Sequence, residues 1–273
     1  MHPGETSSAP LRVIPDAVQR LLLRIPPLSH AAARLYALSD ENADLREIGA
    51  LISTDPSLSA LLLRLVNSPL FGVRQRVTGI LQAVALLGLN RVRVLATTAA
   101  LRMLVSPATA SPTLTRCWRH SLACAMATRD IAANTRFTGD AAYTAGLLHD
   151  IGCIAMLSCW PKQYSNLLAT CQPAETLERE FECLAVTHPD AGAFLLRKWG
   201  LPQELVVVAR DHHCCTRGRQ SSLVELVSEG CHIADSLGFP LTAKAPDALE
   251  RRAPDQDTFW LRIADGINQL DCL

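Results

Sequence analysis

Five short stretches of this 273-residue chain hold side chains that can bind a metal ion or move a proton. They are Trp118-Arg119-His120-Ser121, Gly146 to Gly152 with His149-Asp150 at its centre, His188-Pro189, Asp211-His212-His213, and Ile233-Ala234-Asp235. The His149-Asp150 pair is the most informative, because it ends a small, apolar segment and is followed by Ile151-Gly152. Imidazole and carboxylate together suit borderline and hard divalent ions such as Zn, Mn or Fe. Adjacent helical residues point about 100° apart, so both reach one ion only if the helix end is aimed at it. His120 and Asp235 are candidates to complete that site, and His188, His212 and His213 are candidates for a second ion. Two ions about 3.5–4 Å apart can clamp a phosphoester and activate water. A plainer reading stands beside this one: a buried histidine on a carboxylate also simply holds helices together.

The elements that would position these residues read as helices. Asp55 is a good N-cap and Pro56 fits the first helical position, where a missing N–H costs nothing. Leu58, Leu61, Leu62 and Leu65 then form one apolar stripe at i, i+3, i+4 and i+7. Asn67-Ser68-Pro69 ends that helix. His30–Leu38 is a further helical stretch, and Asp44 caps a helix through Leu45, Ile48 and Leu51. Thr78–Leu87 is closed by Gly88, and Asn90 starts another helix with Val94, Leu95, Thr98 and Leu101 inward. Helices follow around Cys117–Asn134, Asp140–His149, Trp160–Cys171, Thr176–Val186, Pro189–Lys198, Pro202–His212 and Ser222–Leu237, with a short run at Thr258–Leu270. No stretch alternates as a strand does, and no internal repeat is present.

Composition agrees. The chain is 49% hydrophobic, 19% charged and 5% aromatic, with 26 basic and 26 acidic side chains. Leu and Ala favour helices, and the apolar fraction excludes a disordered chain. Zero net charge argues against bulk binding to nucleic acid or an anionic membrane. No apolar run approaches the 18 residues of a spanning helix and no secretory h-region follows Met1, so a cytoplasmic protein is expected. The ten cysteines include no CxxC pair, and most are expected as small buried hydrophobes. The adjacent Cys214 and Cys215, beside two histidines, are the one pair singled out.

At His120, His149, Asp150 and Asp235 the sequence resembles the HD superfamily of metal-dependent phosphohydrolases, with its H…HD…D pattern. Within it, the chain most resembles the HDOD domain, an HD-related output domain of bacterial signalling proteins. Ile25-Pro26-Pro27-Leu28 is similar to that family's opening. Ile52 to Leu58, followed by Leu65-Val66-Asn67-Ser68, is similar to its N-terminal block. Ala83 to Leu89 with Arg91, Trp118 to Ser121, Gly146 to Gly152, His188 to Trp199, Leu201-Pro202 and His212-His213 follow in family order, so the resemblance covers roughly residues 20–240.

The resemblance implies an all-α fold, with an N-terminal helical subdomain packed on an HD-like helical bundle. The expected organisation is a flexible tail at 1–19, the N-terminal subdomain at 20–110, the bundle at 111–240 and a C-terminal extension at 241–273. It also implies a regulatory signalling module that binds protein or nucleotide without catalysis. Partners of that kind include diguanylate cyclases, response regulators, kinases and a nucleotide second messenger. The neighbouring HD-GYP family, which hydrolyses cyclic di-GMP, resembles the chain at His120, His149, Asp150, His188, His212, His213 and Asp235, its metal-binding positions. This keeps a second reading: a metal-dependent phosphodiesterase with one or two divalent ions (Mn, Fe or Zn), in which Asp150 bridges. Two departures count against it. Cys153 stands where those enzymes carry a lysine, and Cys214 to Gly218 replaces the GYP loop, with Arg217 and Arg219 as the nearby cations. A third reading, DNA binding through Thr78–Leu101 as a helix-turn-helix presenting Arg91, Arg93 and Arg102, ranks last because most of that second helix is apolar.

Overall fold

The computed structural model describes residues 13–28, 30–38, 44–68, 74–105, 111–214, 222–242, 261, 263 and 265–268. Among these residues there are helices and turns but no strand, so the all-α expectation holds. Cys215, Arg217, Arg219, most of the Ser106–Pro112 break and most of the C-terminal extension lie outside the described residues.

Of the five N-terminal helices among the described residues, the third and fourth start at side-chain caps. The five are α1 (Asp16–Leu22), α2 (His30–Leu35), α3 (Leu45–Ser53), α4 (Pro56–Val66) and α5 (Ile80–Leu104). Asp44 accepts from the Arg46 N–H and Asp55 from the Leu58 N–H, each satisfying a donor that the first turn leaves free. Leu58, Leu62 and Leu65 are buried and Leu61 is half-buried. α1 begins at Asp16, inside the stretch expected as tail, because Val18 and Leu22 bury against the core.

α5 is one long element broken at Gly88, whose φ of 74° breaks the helical geometry. Val92 and Val94 through Leu101 are buried. Arg93 donates to the carbonyls of Leu35 and Leu38, and Arg102 to that of Val105. The second half of the expected helix-turn-helix is therefore a core helix, and two of its arginines bind the chain's own backbone.

The second half comprises α6 (Pro112–Ala132), α7 (Gly139–Leu148), α8 (Ile151–Cys159), α9 (Pro161–Thr170), a 3-10 turn (Pro173–Glu175), α10 (Thr176–Leu184), α11 (His188–Lys198), α12 (Gln203–Asp211) and α13 (Leu223–Ser236). α6 packs along α7 and α13, while α11 packs against α8 and α12. α5 touches α7 and α1 touches α8, so the N-terminal helices dock onto this bundle. The segments Ile80–Leu104 and Gly139–Cys159 are long and apolar enough to cross a membrane by length and composition, unlike the expectation from the sequence. In the fold, 56% and 89% of their most apolar windows are buried inside the protein. Ile263 and Ile267, in the C-terminal extension, are also buried in the core.

Candidate metal centre

Asp150 is the hub of the bundle. His149 caps the C-terminal end of α7 and Asp150 occupies the N-cap of α8, so a two-residue turn aims both side chains inward. His120 comes from the middle of α6, His188 from the first residue of α11, and His212 from the C-cap of α12. All five are buried. The Oδ2 of Asp150 lies 3.5 Å from His120 Nε2 and 3.2 Å from His149 Nε2. Its Oδ1 lies 3.4 Å from His188 Nε2 and 3.2 Å from His212 Nε2. One carboxylate thus offers one oxygen to each of two imidazole clusters.

Each imidazole is held by its other nitrogen. The Nδ1–H groups of His120, His149 and His212 donate to the carbonyls of Phe239 (2.7 Å), Gly146 (2.7 Å) and Ala209 (3.0 Å). His188 Nδ1 faces the Glu180 carboxylate at 2.8 Å. These bonds fix the tautomer, so in the neutral rings every Nε2 turns a lone pair towards Asp150. His149 Nε2, His212 Nε2 and Asp150 Oδ1 are buried without a hydrogen-bond partner. Unsatisfied buried polar atoms are costly, and three of them facing one another with lone pairs fit a cation. Among the described residues, three donor groups with ligand atoms within 4.8 Å could hold an ion: Asp150, His188, His212 and His213; His120, His149 and Cys231; and Cys153, Glu180 and His188.

The charges are interdependent. Burial would raise the Asp150 carboxyl, but the His149 imidazole, with His212 and His188, holds it well below the usual carboxylate range. Burial would lower His188, yet Glu180 outweighs it and the imidazole is raised. Burial dominates at His212 and lowers it.

Six of the seven residues expected from the sequence therefore converge, with His213 Nε2 lying 2.9 Å from His188 Nε2 at the exposed edge. Asp235 does not face the hub. Its Oδ1 sits 3.4 Å from His120 Nδ1, on the far side of that ring. The α13 side chain that faces the inner nitrogen is Cys231, one turn earlier, with Sγ 3.5 Å from His120 Nε2. A cysteine inside an apolar helix carries no sequence signal of a ligand, so Cys231 reads as core until α13 is laid on α6. Glu180 was equally invisible. It is fully buried, accepts from the His188 backbone N–H at 2.8 Å, and receives the Tyr164 hydroxyl at 2.6 Å. Its only sequence cue is one carboxylate eight residues before a histidine.

Cys153 is buried, with its sulfur 3.3 Å from the Tyr164 hydroxyl oxygen. Burial and then the Asp150 charge push this thiol well above its ordinary value, so it is neutral. Of the flagged Cys214-Cys215 pair, Cys214 is exposed and faces no described ligand group. The described cysteines are free, and Cys117, Cys124, Cys153 and Cys171 are buried fillers as expected. A groove of about 360 Å³ between the two halves is lined by Leu21, Arg24, Met103, Ile151, Ile154 and Trp199. Ile151 follows Asp150, so groove and centre share α8.

An all-α bundle with histidines gathered around a His-Asp turn defines an HD-type domain. The HDOD domain model matches residues 25–215, and the chain belongs to the HDOD domain family. An HDOD domain protein of unknown function from Geobacter sulfurreducens superposes with a TM-score of 0.72 at 22% identity, covering 96% of this chain and 94% of that one. A Shewanella amazonensis protein provisionally named a phosphohydrolase superposes with a TM-score of 0.67 at 21% identity, covering 97% and 90%. At these identities the likeness is one of fold. An uncharacterised protein of Treponema pallidum (strain Nichols) is 30% identical over 185 residues, 65% of this chain. The match spans about a third of that relative's length, 35%.

Proposed function

We propose that this chain is a cytoplasmic signal-transduction module that works without catalysis. It holds divalent metal in its HD-like half and engages a signalling protein, such as a diguanylate cyclase, response regulator or kinase, or a nucleotide second messenger. The observation that carries this reading is Cys153. The catalytic relatives that the sequence resembles place a lysine here, which would offer a cation to phosphate. This chain has a buried neutral thiol turned towards Tyr164, so no phosphate contact comes from that position.

A second reading, a metal-dependent phosphodiesterase acting on a cyclic di-nucleotide such as cyclic di-GMP or another phosphoester, is favoured by one observation. Asp150 presents its two oxygens to two separate imidazole clusters, as a bridging carboxylate must. In that case His120, His149 and Asp150 would hold one ion, and Asp150, His188, His212 and His213 the other. A divalent pair would supply Lewis acidity and positive charge to a phosphoester. The protein's own contribution is orientation: backbone carbonyls and Glu180 fix the rings.

Metal analysis of the purified chain and an assay with added Mn against cyclic di-GMP and a generic phosphodiester separate the two. Metal at one or two ions per chain without turnover supports the signalling module. Turnover that Asp150→Asn abolishes supports the phosphodiesterase. No bound metal, before or after loading with Zn or Mn, removes the metal centre from both.

A further inference from the structure

Resting on the metal-centre reading above, we propose that the α6–α13 side of the centre is a thiolate site, in which His120, His149 and Cys231 hold a borderline-soft divalent ion of the zinc type. The three ligand atoms lie within 4.8 Å of one another. Cys231 Sγ stands 3.5 Å from His120 Nε2. His149 Nε2 is fully buried and without a hydrogen-bond partner. Both rings are committed through Nδ1 to backbone carbonyls, so only their Nε2 atoms face the sulfur.

The choice of donor decides the choice of ion. Two imidazoles and a thiolate favour zinc and cobalt, whereas the all-oxygen and oxygen-rich sets that magnesium, calcium and manganese prefer lack sulfur. Around the other oxygen of Asp150, His188, His212 and His213 offer nitrogen, and the Cys153 sulfur comes near only His188 and Glu180, so Cys231 is the sulfur that belongs with His120 and His149. Asp235 gains a role that its sequence position does not reveal. It sits behind His120, 3.4 Å from the Nδ1 whose hydrogen goes to the Phe239 carbonyl, and so places a negative charge behind a ligand instead of being one. A thiol that serves only to fill the core meets apolar atoms, but the half-buried Cys231 meets a ring nitrogen of His120. Loading the site exchanges the Cys231 thiol proton for the ion, and that proton leaves to solvent.

The test is titration of the full metal-free chain with Co(II), read by absorption. The expected result is a thiolate-to-cobalt charge-transfer band in the near-ultraviolet, alongside the visible bands of bound cobalt. Cys231→Asp should lose the ultraviolet band and keep the visible ones. Cys124→Ala should keep both, which controls for the other thiol beside His149. Visible bands without the ultraviolet band in the unaltered chain overturn the inference and leave the metal centre standing. So does an ultraviolet band that survives Cys231→Asp. Absence of any cobalt binding overturns both.

Discussion

Glu180 holds His188 twice: its Oε2 accepts from the His188 backbone N–H at 2.8 Å and its Oε1 lies 2.8 Å from the ring Nδ1. The first residue of α11 is thus fixed in both backbone and side chain by a buried carboxylate from α10. The Tyr164 hydroxyl, donating to the same Oε1 at 2.6 Å, completes the support. Outer carboxylates of this kind orient an imidazole and raise its basicity, and their loss lowers metal affinity by about 10–100-fold. Glu180→Gln is accordingly expected to weaken metal binding by about that factor, measured by competition with a chelator. An unchanged affinity would show that Glu180 only packs.

The same pair sets a pH dependence in the metal-free chain. Glu180 raises the His188 imidazole above its ordinary 6.5. A raised folded value means the protonated ring is favoured in the fold. Its stabilisation is therefore complete below pH 6.5 and is lost as pH rises through the folded value. Denaturant unfolding of metal-free protein from about pH 6 to about pH 9 should show a steeper loss of stability in the wild type than in Glu180→Gln. Parallel curves would refute the coupling.

At Gly152, α8 lies directly against the backbone of α11. A Cβ built there would lie 1.9 Å from the His188 carbonyl oxygen and 2.8 Å from the Gly192 nitrogen, both backbone atoms that cannot rotate away. Gly152→Ala should push α11 off α8, carry His188 away from Asp150, and cost about 3 kcal/mol or more. Thermal melting together with metal content reads this, and a variant that melts and loads as the wild type does would sink it.

Asp55→Ala removes the side-chain cap of α4 and should cost about 1 kcal/mol. Because α4 packs on α5 and not on the hub, metal affinity should stay unchanged. A change in affinity would mean that the N-terminal helices couple to the centre through the α5–α7 and α1–α8 contacts.

Arg93 anchors α5 to the end of α2 through the Leu35 and Leu38 carbonyls. Arg93→Ala should destabilise the fold by about 1.5–3 kcal/mol, the range for hydrogen bonds from a charged donor. Binding of duplex DNA, measured against salt, should be as weak in the wild type as in the variant. Tight, strongly salt-dependent binding lost only in Arg93→Ala would restore the DNA reading.

Much of the fold was legible because helix signals are local. Asp44, Asp55 with Pro56, and the Leu58–Leu65 stripe announce their helices within one or two turns. α8 was not anticipated as a helix of its own. Ile151 through Leu157 are all buried, so no polar face marks a 3.6-residue period. The same burial explains why Gly139–Cys159 passes as membrane-like by composition.

By itself the sequence determined the helical class, the family order of its blocks and six of the residues that meet at the hub, since those histidines and Asp150 sit at recognisable positions in that order. Only tertiary structure decided how they are shared. Asp150 divides its oxygens between two clusters because α7 and α8 turn at that residue while α6, α11 and α12 converge on it. Cys231 displaces Asp235 at the inner nitrogen of His120, 111 residues away, because one turn of α13 against α6 determines which side chain points in. Such choices depend on the packing angle and rotation of helices distant in sequence, which residue type and spacing do not encode.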